Sequence, residues 1–430
     1  MSAASQRKMK PSGVDWIGDV PEGWNVTRFG YHATVKANLV EVDDYGSFPQ
    51  ISPENIEKNT GRLLAHGTVE DSGVISGNHL FKKGQILYSK IRPALNKVTI
   101  APYPGLCCAD MYPIETDEDT RFMVYLMLAD CFVKQTETVA NMRIKMPKIN
   151  QGELSRIRIA LPPFDEQKRI AAKLDRLCGR VDELAENLKG EIAALQEYRK
   201  SLITECVTKG LNPKAKMKPS GVDWIEKIPV GWTVMRLKYT GWYRNGLTYK
   251  PENVCADGEG YLVLRSSNIQ QGRLDFGDTV YVDVEVPREL KVRVDDIIIC
   301  SRNGSSDLIG KNAIVDVELD MTFGAFMMGY RPDAFRARYA YWLLNSHVFK
   351  YYLSSYATST VNQLTGMDFG NMKVPLPSID EQKRIAAFLD KQCAAIDVKI
   401  AERQRQLEKL GEYRSSVIYE YVTGKREVSA

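Results

Sequence analysis

Two stretches of the chain repeat apolar residues at steps of three or four. The first runs through Ile170, Leu174, Leu177, Val181, Leu184, Leu188, Ile192 and Leu195. The second runs through Ile385, Leu389, Cys393, Ile396, Ile400, Leu407 and Leu410, with Arg403 standing where the first has Leu188. Such spacing puts one apolar side chain per turn on a single stripe of a helix and predicts a heptad seam. Leu-Pro precedes both stretches, Ser378 and Glu381 have capping-box spacing, and Asp165-Glu166 and Asp380-Glu381 fall where a helix dipole favours negative charge. Each helix should extend over about 40 residues, roughly 60 Å at 1.5 Å per residue. A seam this long needs a partner, and the nearest is the other copy. Antiparallel pairing would leave the intervening segments at opposite ends of a rod, with Arg403 a weaker point.

The chain between the stripes has a different texture. Short β-branched and aromatic runs alternate with turn residues and end in helix-like stretches, which predicts mixed α+β domains. The whole pattern is also written twice. MKPSGVDWI occurs at 9–17 and again at 217–225, and LPPFDEQKRIAAKLD at 161–175 is matched by LPSIDEQKRIAAFLD at 376–390, an offset of 215 that continues to Val207-Thr208 and Val422-Thr423. The segments at about 30–160 and 238–375 have largely diverged within this repeated frame. Expected boundaries are a first mixed domain at 1–160, a long helix at 161–212, a second mixed domain at 213–375 and a second helix at 376–430.

Composition narrows the class without deciding it. The 430 residues are 44% hydrophobic and 26% charged, enough apolar content for more than one core. The net charge of +4 balances 58 basic against 54 acidic residues, so polyanion binding has to be argued from local clusters. No apolar run approaches the length of roughly 20 residues that spans a bilayer, and Met1–Lys10 lacks the core of a secretory signal. A cytoplasmic protein without a membrane partner is expected. The eight cysteines show no CxxC spacing and read as reduced.

Such clusters lie in the diverged segments. From Phe81 to Lys97 the chain carries Lys82, Lys83, Lys90, Arg92 and Lys97 with no acid, interleaved with Tyr88, Ser89 and Asn96. Arg143 and Lys145 belong to a second basic group, and the other segment offers Arg265, Ser266, Asn268, Arg302, Asn303, Lys311 and Gln363. Lys and Arg neutralise phosphates, while Arg, Asn, Gln and Lys read base edges. The first long stretch, with nine acidic and nine basic residues between 161 and 212, is too balanced to lie along DNA. Catalytic patterns are missing. The GSSDLIGKN segment (304–312) has five residues between its glycines and Asn312 where a magnesium-binding Ser or Thr belongs. His32, His66, His79 and His347 have no metal-ligand spacing, and neither GxGxxG nor GxSxG occurs in a suitable setting. A binding protein without a metal or cofactor of its own is expected, and a coiled-coil protein–protein scaffold is the alternative.

SGVDWI with PEGW (12–24), SGVDWI with PVGW (220–232), LPPFDEQKRIA, LPSIDEQKRIA and YSKIRP (88–93) together make the chain resemble the specificity (S) subunit of type I restriction-modification systems over nearly its whole length. The resemblance implies two mixed α/β target recognition domains separated by two long helices that form an antiparallel coiled coil, with an internal pseudo-two-fold repeat. It further implies that each domain reads one half of a split double-stranded DNA target. Two methyltransferase (M) subunits and restriction/translocase (R) subunits would dock on the chain and supply S-adenosylmethionine, ATP and magnesium chemistry. The second segment has no sequence match to YSKIRP.

Overall fold

The computed structural model describes residues 7–141, 147–356 and 362–428. Two compact units divide the chain, Met1–Lys189 with Arg405–Ala430 and Gly190–Gln404. In the first, a hairpin of β1 (Met9–Pro11) and β2 (Asp19–Pro21) leads to β3 (Asn25–Arg28), β4 (Ala33–Val35), β5 (Leu39–Val40) and β6 (Gln50–Ile51). A short helix α1 (Val69–Ser72) precedes β7 (Asn78–Phe81), β8 (Ile86–Ser89), β9 (Val98–Ile100), β10 (Gly105–Cys107) and β11 (Met111–Thr116). Helices α2 (Thr120–Leu128), α3 (Asp130–Ala140) and α4 (Gln151–Arg156), then β12 (Arg158–Leu161), bring the chain to the long α5 (Phe164–Lys209).

The second half repeats this order. β13 (Met217–Val222) and β14 (Ile225–Pro229) form the hairpin, followed by β15 (Thr233–Arg236), β16 (Gly241–Asn245), β17 (Val254–Cys255) and β18 (Tyr261–Leu264). A small hairpin, β19 (Ile269–Gln270) and β20 (Arg273–Leu274), precedes β21 (Tyr281–Val282), β22 (Ile297–Cys300), β23 (Asn312–Ile314), β24 (Met321–Phe323) and β25 (Met327–Pro332). Helices α6 (Ala337–Leu344), α7 (His347–Tyr356) and α8 (Gly366–Asn371), β26 (Lys373–Leu376) and the long α9 (Ile379–Val422) complete it.

The all-apolar runs become the central strands. In β8, Ile86 and Tyr88 face a core shared with α2 and α3, while Leu87 faces a second core with Ile51, Phe81 and Met111. In β22, Ile297 and Ile299 enter one core and Ile298 and Cys300 another. Strands covered on both faces lose the polar alternation of a half-exposed sheet. The sheets around them have one order in both units, β4-β11-β8-β9 and β16-β25-β22-β23. The neighbouring sheets differ. Both contain a parallel pair, β6 with β10 and β18 with β24, but the remaining two strands join on β10 in the first unit and on β18 in the second. The two diverged segments therefore differ in strand pairing as well as in residues.

The long helices have 46 and 44 residues, about 65–70 Å each and longer than expected. They pack antiparallel inside each unit. In the first, Ile170, Leu174 and Cys178 of α5 share a core with Val417, Ile418 and Tyr421 of α9, and Arg414 Nε donates to Asp182 Oδ1 at 3.1 Å. In the second, Ile203, Cys206 and Val207 of α5 meet Ile385, Leu389 and Cys393 of α9, and Arg199 pairs with Asp397 at 2.9 Å. Arg199 and Arg414, like Asp182 and Asp397, are repeat counterparts at the offset of 215.

One part of the expected seam is displaced by a residue. Ile170, Leu174 and Val181 are buried and Leu188, Ile192 and Leu195 half-buried, but Leu184 is 53% exposed and Leu177 is only partly covered. Cys178 and Ala185 take the inward positions instead, matching Cys393 and Ile400 of the second copy. That copy follows its pattern, with Ile385, Leu389, Cys393 and Ile396 buried and Ile400, Leu407 and Leu410 half-buried. Arg403 does not leave a gap, because its Nε donates to Glu191 Oε2 at 2.6 Å. An exposed pair of this kind is worth about 0–1 kcal/mol, against about 2 kcal/mol for a buried leucine.

The two repeated strings of each half meet at the first turn of its helix. Trp24 Nε1 donates to Glu166 Oε2 at 3.2 Å, and Trp232 Nε1 to Glu381 Oε2 at 2.8 Å. The neighbouring glutamines are buried and bracket the helix N-terminus of the adjoining mixed domain. Gln167 accepts from Asp119 N at 3.0 Å and donates to Pro162 O and Glu118, and Gln382 accepts from Arg336 N at 2.7 Å and donates to Pro377 O and Ala334 O. Asp119 and Arg336 are the N-cap residues of α2 and α6.

Two stability predictions follow from this packing, both read by urea unfolding. Leu184→Gln should stay within about 0.5 kcal/mol of wild type, whereas Leu174→Ala should lose about 2–5 kcal/mol. Arg414, which also donates to Asn59 O and Thr60 O at 2.8 Å, is the more deeply engaged of the two repeated arginines. Arg414→Met should cost about 3 kcal/mol and Arg199→Met distinctly less.

Candidate nucleic-acid interface

In the first unit the candidate residues gather around the loop that leaves β8. Its backbone is strapped to the segment before α4: Arg92 N donates to Pro147 O at 2.7 Å, Ile149 N donates to Lys90 O at 2.9 Å, and Ile91 bridges to Lys148. Arg92 is exposed and sits at φ +46 directly before Pro93. A left-handed conformation is unfavourable for a side chain with a Cβ, and more so before proline. The strap holds the arginine there. Lys90 is half-buried, its Nζ donating to Ala109 O at 2.6 Å and lying 5.5 Å from the centre of the Tyr112 ring. Burial foremost, and then the Lys90 charge, lowers the pKa of His79 beneath it.

Several residues proposed from composition serve the fold instead. Tyr88 is fully buried, and loss of solvent raises its phenol pKa far above the ordinary value. Ser89 is buried with Oγ donating to Ile91 O, and buried Asn96 donates to Leu128 O at 3.0 Å. Lys97 Nζ donates to Pro53 O at 2.6 Å. Lys82 and Lys83 are exposed but belong to the turn at the start of β8, a four-residue strand away from Arg92, or about 13 Å at 3.3 Å per residue. The basic run from 81 to 97 is thus split between two ends of the sheet. Arg143 and Lys145 lie outside the described residues.

The second unit builds the same loop from other residues. Cys300 N donates to Lys311 O as Ser89 N does to Lys97 O, and Arg302 bridges to Gln363 as Ile91 does to Lys148. A positional counterpart of YSKIRP therefore exists, with Arg302 and Asn303 in the places of Ile91 and Arg92. Lys311 Nζ reaches Ser266 O at 3.4 Å, as Lys97 reaches Pro53 O, and Asn303 Nδ2 donates to Ser266 Oγ at 3.3 Å. Arg302 and Gln363 are exposed, and the Arg302 guanidinium lies 5.4 Å from the centre of the exposed Phe326 ring. Arg265 pairs with Asp278 at 2.9 Å, holding that carboxyl below its usual pKa. Asn268 is completely buried, accepting from Arg265 N and donating to Asp275 O and Asp278 O, so it is structural.

Sequence reasoning missed Phe326 and Asn362, the latter accepting from Asn303 N and donating to Gly304 O. The Asn-Gln pair at 362–363 was the available signal, and nothing local marks Phe326. Among the described residues no cluster of three or more His, Cys, Asp or Glu is placed to hold a metal. No helix among them is long and apolar enough to cross a membrane.

Comparison with known proteins agrees with this two-part architecture. A family model described as "Type I restriction modification DNA specificity domain" matches residues 26–194 and 229–409. The chain is 36% identical over 189 residues to the type I restriction enzyme EcoDI specificity subunit of Escherichia coli, covering 44% of this chain and 42% of that protein. It is 24% identical over 440 residues to the putative type I restriction enzyme MjaX specificity subunit of Methanocaldococcus jannaschii, covering 96% of each. The matches to the first curated relatives span less than half of their length. A solved chain from a study of complex assembly and conformational transition of the type I R-M system superposes with a TM-score of 0.73 at 18% identity, over 95% of this chain and 99% of that one, a likeness of fold. With both halves matched by one model, the chain belongs to the family of type I restriction modification DNA specificity domains.

Proposed function

We propose that the chain is the DNA sequence-recognition subunit of a type I restriction-modification complex and carries no catalytic site itself. Residues 1–160 and 213–375 are the two readers, and 161–212 and 376–430 are the long spacer helices that follow them. Each reader takes one half of an asymmetric bipartite target, the halves lying about one helical turn apart, roughly 34 Å. Two methyltransferase subunits and the restriction/translocase subunits dock on the assembly. They contribute the S-adenosylmethionine, ATP and magnesium chemistry.

The observation that carries this reading is the pair of strapped loops. The same backbone scaffold, closed by the Ile91–Lys148 bridge in one unit and the Arg302–Gln363 bridge in the other, offers different side chains. A common support with exchanged tips suits two modules of one task and two different half-sites. A protein–protein scaffold would use the long helices but gives no reason to hold Arg92 in a strained, exposed conformation.

Arg92 is assigned to a base edge of one half-site, with Arg302, Asn303 and Gln363 serving the other. Lys90, Lys97, Lys311, Arg265 and Ser266 stand behind them and shape the loops. In the assembled complex, Arg92→Ala should relax a single position of one half-site at a cost of about 1–3 kcal/mol and leave the other half-site unchanged. Arg302→Ala should do the converse. Binding to a set of single-base target variants measures both, and discrimination identical to wild type in the two substitutions would overturn the assignment.

A further inference from the structure

The frame strands carry a charge arrangement that neither the cores nor the reading loops explain. In the antiparallel pair β3 with β12, Arg28 stands directly opposite Arg158, and in β15 with β26 Arg236 stands directly opposite Lys373. Residues directly opposite share a face of the sheet. The ladder bonds flank these pairs, Phe29 N to Ile157 O and Leu237 N to Met372 O, so both are of the narrow, non-hydrogen-bonded kind. In the first unit the Arg158 amide and carbonyl turn the other way, to the Gln135 side chain at 3.0 Å each.

Like charges directly opposite destabilise a sheet, yet both units have them at the same place. All four side chains are exposed, and among the described residues none has an acid within ion-pair distance. Three residues after Arg28 and after Arg236 the chain carries an exposed tyrosine at the same position of the repeat, Tyr31 at 75% and Tyr239 at 63%. Lys238 Nζ adds a further cation 5.1 Å from the centre of the Tyr239 ring. Arg158 and Lys373 lie ten residues beyond the bridge residues Lys148 and Gln363, with only the short α4 or α8, about 9 Å long, intervening.

We infer that Arg28 with Arg158, and Arg236 with Lys373, form phosphate-binding surfaces, Tyr31 and Tyr239 contributing from the turn that follows the first strand of each pair, that grip the DNA backbone next to the half-site read by the adjoining loop. The inference rests on the DNA-recognition reading and deepens it. The loops diverge because the half-sites differ, whereas the sugar-phosphate backbone is the same beside both. Exchange of arginine for lysine between Arg158 and Lys373 suits a ligand that requires charge more than a fixed fork. Tyrosine is a usual phosphate donor, and such contacts fix register without reading sequence.

The test measures affinity against salt for the complex assembled with its methyltransferase subunits, on the duplex found by methylation mapping and on a scrambled duplex. With a slope of about −0.9 per phosphate contact, Arg28→Gln with Arg158→Gln should make the log–log dependence shallower by about two, as should Arg236→Gln with Lys373→Gln. Affinity should fall alike on both duplexes, leaving their ratio unchanged. Arg158→Lys, which copies the second unit, should keep the wild-type slope and so separates charge from folding. An unchanged slope, or a loss confined to the mapped duplex, overturns the proposal. So does failure of the glutamine variants to assemble with the methyltransferase subunits without DNA, which would give the surface to a protein partner. A wild-type complex that binds both duplexes equally defeats the recognition reading instead, and the slopes still decide the surface.

Discussion

Everything in each unit is referred to one joint, the first turn of its long helix. A helix begins with backbone amides that have no internal partner and a dipole that favours negative charge. Here Glu166 and Glu381 fill that position and are held by the indoles of Trp24 and Trp232. One residue further, the buried Gln167 and Gln382 each accept from the N-cap amide of a helix in the adjoining mixed domain and donate to residues just before that cap, Glu118 and Ala334 O. A buried amide with its partners removed costs about 1–3 kcal/mol, so the joint has one arrangement that satisfies it. The direction in which each mixed domain leaves its helix is set there.

That joint explains which parts of the repeat could drift. The DEQKR and DW…W strings touch each other, so a change in one disturbs the other. Asp175 and Asp390, about two turns further along, receive Arg121 and Tyr125 in one unit and Arg338 and Trp342 in the other, so the carboxylate persisted while part of its company changed. Beyond that range the central sheets retain their order, but the outer sheets are paired differently. The loops after β8 and β22 retain their straps and a lysine tied to a backbone carbonyl, while their exposed side chains differ.

Much of this was legible in the residues. Duplication, two long helices and mixed domains follow from periodicity and repeated strings, and all are present. The errors have a common physical origin. Leu184 extends an apolar stripe, but the stripe that faces a neighbour is decided by packing, and comparison of the copies at their offset of 215 would have pointed to Ala185 instead, the counterpart of Ile400. In the loops, composition cannot separate a donor that faces solvent from one used internally. Asn96, Asn268 and Lys97 have the residue types of a DNA contact and spend their donors on backbone carbonyls. The cross-strand pair of Arg28 and Arg158 was invisible for the opposite reason, since 130 residues separate its members and only strand register brings them face to face.

The one polar break in the helical seam also belongs to this logic. At the offset of 215, Arg403 and Gln406 of α9 are counterparts of Leu188 and Glu191 of α5. Arg403 finds its acid only because the facing helix is of the other copy, which supplies Glu191. Two helices of the first kind would set Glu191 near leucine, and two of the second would set Arg403 near glutamine. A polar residue in an apolar seam lowers stability and restricts which partner and register are accepted. The departure from perfect duplication at this position therefore favours pairing of the first copy with the second over pairing of either copy with itself.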